Sequence, residues 1–189
     1  QIGKLTVINK MEGGWKMDRR GFTLVELLVA LAIGAILLTI AIPGYAFLVN
    51  GSRLTALTND LVAALHLARS EAIKRGMRVT ICKTGGAMTA PPSCNHTAGW
   101  QQGWLVFADG GTKGVIDTGD AILWAHDRVV NEATITPSNY DSYISYLPSG
   151  KSQAPGGLPN GYFHICVAGS RRDVIINSSG RPRLHSATC

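Results

Sequence analysis

The feature that most constrains this chain is an uninterrupted apolar segment near its amino-terminal end. From Leu27 to Ile42 it contains no charged residue, and further apolar residues extend it towards Phe22 and Val49. A bilayer core is crossed by roughly 20 apolar residues of helix. The sequence therefore predicts a membrane-spanning helix over residues 22–49, and this helix accounts for a composition that is 46% hydrophobic and only 16% charged.

The residues just before the apolar segment indicate its orientation. Three of them are basic, Lys16, Arg19 and Arg20, against the single acidic Asp18. Positive residues favour the cytoplasmic side of a membrane. The chain beyond residue 49 is therefore expected to lie outside the cytoplasm.

The first sixteen residues are not expected to belong to the fold. They show no periodicity and do not begin with Met, so we interpret residues 1–16 as upstream sequence or a mis-set start. Met17 would then open a short leader over residues 17–21. Five basic and two acidic residues precede Gly21, so +3 of the formal net charge of +6 lies in this part. The overall charge therefore overstates any affinity for nucleic acid.

A second helical pattern covers residues 50–76. Apolar residues recur there at steps of three and four with charged residues between them, as in an amphipathic helix. The predicted buried face consists of Leu54, Leu57, Leu61, Leu65, Ala68 and Ala72. Glu71 and Arg75 form an i,i+4 pair in the last turn, and Gly76 is expected to end the helix.

From residue 77 to residue 189 the helical period gives way to short β-type runs separated by turns rich in glycine and proline. The predicted strands are Arg78–Cys82, Trp104–Ala108, Ala121–Ala125, Tyr143–Leu147, Tyr162–Val167 and Val174–Asn177. An amphipathic helix followed by such runs indicates an α+β fold, in which the helix packs on an antiparallel sheet.

All four cysteines lie beyond the membrane segment, which is typical of an oxidising compartment. Four cysteines allow three pairings. We favour Cys82 with Cys94 and Cys166 with Cys189, because each pair closes a short local loop, but the other pairings stay open. A zinc site at Cys94 and His96 is the alternative, although its spacing matches no known ligand pattern.

Other chemistry has little support in the sequence. The two carboxylates Asp117 and Asp120 match no calcium-binding loop. The five histidines are scattered, and no serine lies in a nucleophile-elbow pattern. We therefore expect no cofactor, no metal and no enzymatic activity.

The start of the apolar segment carries a specific motif. Residues 19–26 read Arg-Arg-Gly-Phe-Thr-Leu-Val-Glu, which resembles the class III signal of type IV prepilins and type II secretion pseudopilins. The resemblance implies that a prepilin peptidase cuts between Gly21 and Phe22 and methylates the new amino terminus. It also implies a single-pass protein of the bacterial inner membrane with a periplasmic globular domain, assembled with other pilins or pseudopilins into a filament.

Glu26 and Pro43 are unusual residues in an apolar helix. A carboxylate in such a helix is costly unless it has a partner, and the resemblance implies that Glu26 pairs with the free amino terminus of a neighbouring subunit. The alternative is a glutamate that reaches the headgroups at the membrane edge. Pro43 removes a helical hydrogen bond, so it either loosens the helix for assembly, as the resemblance implies, or only marks the membrane exit.

The middle of the chain resembles the FimT/GspH group of this family. The resemblance rests on residues 69–75 (RSEAIKR), 79–82 (VTIC) and 100–109 (WQQGWLVFAD), and it covers most of the chain from Gly21 to Leu184. It implies the type IV pilin fold. Members are minor pilins of type IV pili or minor pseudopilins of type II secretion systems, and we prefer the FimT-like function.

The carboxy-terminal tail favours DNA as a partner. Arg181 and Arg183 on an extended strand would project to one face about 7 Å apart, a spacing comparable with that of phosphates along a nucleic-acid strand. This Gly-Arg-Pro-Arg sequence resembles the Gly-Arg-x-Arg tail of FimT-type pilins that bind DNA in natural transformation. Arg171 and Arg172 in the preceding loop, and Lys151 in another loop, are expected to help bind double-stranded DNA without sequence preference. The alternative is that these arginines are solvated or paired, as in a pseudopilin.

We expect the mature protein to begin at Phe22, because the basic leader ends there and the apolar helix starts. Amino-terminal sequencing or intact-mass measurement of the protein from native membranes should find a methylated Phe22. A chain that still began at Met17, in cells with an active prepilin peptidase, would contradict this interpretation.

Overall fold

A computed structural model describes residues 21–86, 91–127 and 133–189 of the protein. The predicted upstream segment and the first four leader residues fall outside these ranges, so their assignment stays a prediction. The described chain begins with one α-helix and continues as β-strands. The α+β fold class expected from the sequence is confirmed.

The helix, α1, spans Leu24–Arg75, and local chemistry accounts for both of its ends. At its start, the Glu26 backbone N–H donates to Thr23 Oγ1 at 3.2 Å, which satisfies one of the free amides of the first turn. At its end, Gly76 has a φ of +64°, a left-handed conformation that glycine adopts without strain. The helix therefore stops where the sequence predicts.

The chain divides into two units, Gln1–Pro43 and Gly44–Cys189, which we describe separately. In the first unit the large apolar side chains of the described part are exposed, with Phe22 at 81%. The most apolar 18-residue window of α1 has a mean hydropathy of 2.7, and none of it is buried. By length and composition α1 can cross a membrane. The loosening of the helix at Pro43 stays a prediction.

In the second unit α1 packs by the face that its periodicity predicts. All six predicted core positions are buried: Leu54, Leu57, Leu61, Leu65, Ala68 and Ala72. Burial of one leucine side chain stabilises a fold by about 2 kcal/mol relative to exposure. The four buried leucines of α1 therefore make a large contribution to the stability of the core.

The strands form two antiparallel sheets. The strands of sheet A are β1 Val79–Lys83, β2 Trp104–Ala108, β3 Ile122–His126, β5 Tyr143–Tyr146 and β6 Ser152–Gln153, and those of sheet B are β4 Ala133–Ser138, β7 Gly161–Val167, β8 Ser170–Ile176 and β9 Pro182–Thr188. The spatial order is β3-β2-β1-β5-β6 in sheet A and β4-β7-β8-β9 in sheet B. The helix and both sheets contribute to one shared cluster of buried apolar residues.

The structure differs from the sequence prediction at the start of β8. The sequence predicts a strand from Val174, whereas β8 begins at Ser170. Ala168 and Gly169 both have positive φ, +47° and +83°, which makes a tight hairpin turn and lets pairing resume at once. The placement of Arg171 and Arg172 in a loop was therefore wrong, because both lie in a strand. The strands β4 and β6 were not predicted, and of β9 only an extended conformation around Arg181 and Arg183 was expected.

The cysteines form two disulfide bonds, Cys82–Cys94 and Cys166–Cys189. This is the local pairing that the sequence favours. Because all four sulfur atoms are used in these bonds, Cys94 is not available to bind zinc beside His96.

The carboxylates of the acidic loop that follows β2 accept hydrogen bonds from backbone N–H groups of the same loop. Asp120 accepts the N–H groups of Gly110 and Asp117 at 3.0 Å each, and Asp117 accepts that of Thr112. Asp109 accepts a 2.6 Å bond from the Arg78 guanidinium. These carboxylates therefore stabilise the loop, and no group of three potential metal ligands occurs among the described residues.

Candidate nucleic-acid interface

The basic residues predicted to bind DNA lie at and beside the turn between β8 and β9. Gly180 in this turn has a φ of +76°, and a Cβ there would overlap the Gly150 carbonyl oxygen and lie 2.9 Å from the Tyr146 ring. This close packing holds residues 150–152 against the turn. Lys151 and Arg181 therefore lie at the same end of the second unit.

Two further contacts stabilise this packing. Tyr146 Oη donates to the Gly180 carbonyl oxygen at 3.1 Å, and burial raises the pKa of Tyr146 well above its usual range, so the hydroxyl keeps its proton at neutral pH. Arg69 Nε on α1 donates to the Gly150 carbonyl oxygen at 3.0 Å. The sequence does not reveal the role of Arg69, because Gly150 lies 81 positions away.

The turn itself is held by the side chain of Asn177. Its Oδ1 accepts the Arg181 backbone N–H at 2.9 Å and the Ser179 hydroxyl at 2.7 Å. The Gly180 N–H donates to the Asn177 carbonyl oxygen at 2.8 Å. Asparagine is common in turns because its side chain bonds to the backbone nearby. The backbone of Arg181 therefore has a defined position, which reduces the entropy lost when its side chain binds a ligand.

Arg181 and Arg183 lie on one extended segment with Pro182 between them, so both project to the same side. Both are exposed, and so is Lys151. Within the described residues, no carboxylate lies within 4.0 Å of any of these three cations. They form what we call the basic end: Lys151, Arg181 and Arg183.

Arg171 and Arg172 lie on opposite faces of β8. Successive side chains of a strand point to opposite faces, so Arg171 lies on the outer face of sheet B and Arg172 on the face towards α1. Arg171 Nε is 3.0 Å from Asp173 Oδ1, which neutralises part of its charge. Arg172 instead lines an open groove of about 770 Å³ with Ser52, Thr55 and Asn59 of the helix.

Asp173 is the centre of a polar cluster that the sequence does not predict. His164 Nδ1 lies 2.6 Å from Asp173 Oδ1, and His185 Nδ1 lies 3.7 Å from Oδ2. The three residues are direct cross-strand neighbours in β7, β8 and β9. Alternation indicates which face each residue occupies, but their meeting depends on the register of three strands.

Glu26 lies in the first turn of α1, in the first unit. It is exposed, and among the described residues no cation lies within 4.0 Å of its carboxylate. A charge in an apolar helix is expected to require a partner. Its pairing with another subunit stays a prediction.

Comparisons with known proteins agree with this architecture. The model of the family described as Type II transport protein GspH matches residues 57–180, and that of the prokaryotic N-terminal methylation motif matches residues 16–42. The chain belongs to the GspH family of type IV pilin-like proteins. The predicted resemblance is therefore confirmed, and the protein is a minor type IV pilin or GspH-like pseudopilin.

Individual relatives support the same class. Pilin-like protein PilA1 of Thermus thermophilus is 29% identical over 175 residues, which cover 89% of this chain and 99% of the relative. Two crystal structures of the type IV minor pilin FimU of Pseudomonas aeruginosa are each 20% identical. They have TM-scores of 0.53 and 0.51, and the matches cover 71% and 69% of this chain and 89% and 91% of theirs. The type IV minor pilin fold is thus confirmed. Membership of this family implies assembly with other pilins and processing by a prepilin peptidase.

We expect Gly180→Ala to destabilise the fold more than a glycine substitution at another position with positive φ. A Cβ costs about 1–2 kcal/mol in the left-handed conformation alone, and at Gly180 it also overlaps backbone. Gly169→Ala is the matched control, since its φ is +83° and a Cβ there meets nothing within 4 Å. Thermal unfolding of the full chain in detergent should show the larger loss for Gly180→Ala. Equal losses would mean that the turn does not pack as described.

Proposed function

We propose that this protein is a FimT-type minor pilin that binds double-stranded DNA without sequence preference for uptake in natural transformation. The observation that carries the proposal is the basic end, in which three exposed cations lie at the same end of the second unit without a carboxylate partner among the described residues. Arg171 is expected to contribute less to DNA binding, because Asp173 neutralises part of its charge. Arg172 is left out, because it lies on the face of sheet B towards α1.

The geometry suits contact with phosphates rather than with bases. Long cationic side chains on a turn and a sheet edge can reach a duplex backbone, whereas major-groove readout requires a helix or a two-stranded ribbon in the groove. A few phosphate contacts give non-specific dissociation constants of roughly 10⁻⁴ to 10⁻⁶ M at physiological salt. Individual subunits would therefore bind weakly, and several copies on one filament would increase the apparent affinity.

The same proposal includes a location in the cell envelope. Residues 22–49 would form a single pass of the bacterial inner membrane, with the second unit in the periplasm. Two disulfide bonds agree with an oxidising compartment. After cleavage between Gly21 and Phe22, Glu26 would pair with the amino terminus of a neighbouring subunit as the filament forms.

The second candidate is a minor pseudopilin of a type II secretion system. The match to the family described as Type II transport protein GspH favours it. In that case the basic end would be solvated or would contact other pseudopilins. Neighbouring genes for a secretion apparatus, together with a lack of DNA binding at low salt, would support this candidate over DNA uptake.

Replacing both Arg181 and Arg183 with Gln should weaken duplex binding and make it less dependent on salt. Each lost phosphate contact reduces the slope of log K against log salt by about 0.9, so the double variant should lose about 1.8. The full chain in detergent, titrated with labelled duplex over a range of salt concentrations, provides the measurement. Exposed substitutions of this kind change stability by about 0.5 kcal/mol or less.

The matched control is Arg53→Gln with Lys74→Gln, which removes the same formal charge from exposed positions of α1. It should leave the salt slope within error of the unmodified protein. Full binding by the Arg181 and Arg183 double variant would exclude the tail as the site.

Glu26→Ala should separate membrane insertion from filament assembly. The change removes a charge without reducing the hydrophobicity that drives insertion, so the variant should fractionate with membranes but be depleted from sheared filaments. Glu26→Asp keeps the charge and should retain part of the assembly. Normal recovery of Glu26→Ala in filaments would argue against a pairing role.

A further inference from the structure

Sheet B has one covered face and one open face. Phe163, Ile165, Val174 and Ile176 are buried in the shared core with the helix leucines. The alternate residues of the same strands point the other way. The outer face carries Tyr162, His164 and Cys166 of β7, Arg171, Asp173 and Ile175 of β8, and Arg183, His185 and Ala187 of β9.

A central strand of this open face carries two neighbouring aromatic rings that are tilted against each other. The Tyr162 and His164 ring centroids lie 4.2 Å apart with an interplanar angle of 34°. Tyr162 is 37% exposed, although it lies on β7, which has neighbours on both sides. Together with its exposed neighbour Ile175, the ring of Tyr162 forms an apolar surface with a polar end.

A row of neighbouring side chains on the outer face runs from Tyr162 through Ile175 to Arg183. Tyr162 is the cross-strand neighbour of Ile175, which is 43% exposed, and Ile175 is the neighbour of Arg183. With strands about 4.8 Å apart, Tyr162 and Arg183 are separated by roughly 10 Å along this row. The row therefore joins an aromatic surface directly to the basic end.

The electrostatics of the face suit an anion. Asp173 is the one acidic residue of β7, β8 and β9, and its side chain is 8% exposed. Arg171 and His164 engage its oxygens at 3.0 and 2.6 Å. The carboxylate is therefore largely screened from a ligand that lies over the sheet, whereas Arg183 at the edge is free to bind one.

We propose that this outer face binds single-stranded nucleic acid, with a base stacked on Tyr162 and the adjoining phosphates on Arg183 and Arg181. The inference rests on the proposed DNA binding and extends it to unpaired strands. A four-stranded antiparallel sheet with an exposed aromatic ring on a central strand and cations at its rim can stack an unpaired base. In a duplex the base faces are already stacked on one another, so a duplex reaches only the cations.

The experiment compares three labelled ligands of equal length with the full chain in detergent: an oligothymidine of about 12 nucleotides, the same strand annealed to its complement, and an abasic strand. The oligothymidine should bind more tightly than the abasic strand. Tyr162→Ala should weaken oligothymidine binding roughly 5- to 150-fold, which is the loss expected for one stacked base. The same variant should leave duplex binding unchanged.

Tyr162→Phe is the matched control, because it keeps the ring and should retain oligothymidine binding. Comparison of the oligothymidine with the abasic strand needs no variant, so the inference is testable even if Tyr162→Ala folds poorly. Equal binding of the oligothymidine and the abasic strand would overturn the inference and leave duplex binding at the basic end intact. Failure of every ligand to bind at low salt would overturn the proposed DNA function as well.

Discussion

The packing of α1 against both sheets is the interaction on which the rest of the second unit depends. Leu61 and Leu65 have no exposed surface, and they share one cluster with Ile81 of sheet A and Ile165 of sheet B. Neither sheet has another element of comparable size to cover its inner face in the described part of the chain. The helix therefore sets the position of each sheet relative to the other. The positions of the sheets in turn set those of the loops that carry the basic end.

The basic end is a consequence of that arrangement. Tyr146 lies in sheet A and bonds to Gly180 in the β8–β9 turn of sheet B, while Arg69 on the helix bonds to Gly150. Three elements thus meet where Gly180 packs against residues 150–152. Surface cations are solvated in almost any arrangement. To bind one polyanion together, however, they must be held in fixed positions relative to one another. This fixed arrangement comes from the side chains of Tyr146 and Arg69, which bond to backbone carbonyl groups, so it does not depend on the three cations of the basic end.

Much of the fold could be predicted because it follows from local patterns. Repeats of three and four residues identified the buried face of α1, and Gly76 marked its end. The sequence could not place β4 or the start of β8. Arg171, Arg172 and Asp173 interrupt the apolar alternation of β8, and the turn at Ala168 and Gly169 that extends the strand depends on backbone angles. The site was predicted in part, since Arg181 and Arg183 lie as expected but Arg172 lies on the opposite face of its strand.

The sequence by itself determined that the amino-terminal helix is apolar and long enough to cross a membrane, and it also determined the motif at Gly21 and Phe22 and the family. Each of these depends on residues that are close together in the chain, so composition and spacing are enough to specify them. Only the tertiary structure decided which cations lie at one end of the second unit and which are neutralised. It also brought His164, Asp173 and His185 into contact and left Tyr162 exposed beside Arg183. These relations depend on the register of strands that are distant in sequence, and a shift of one residue would send each side chain to the other face.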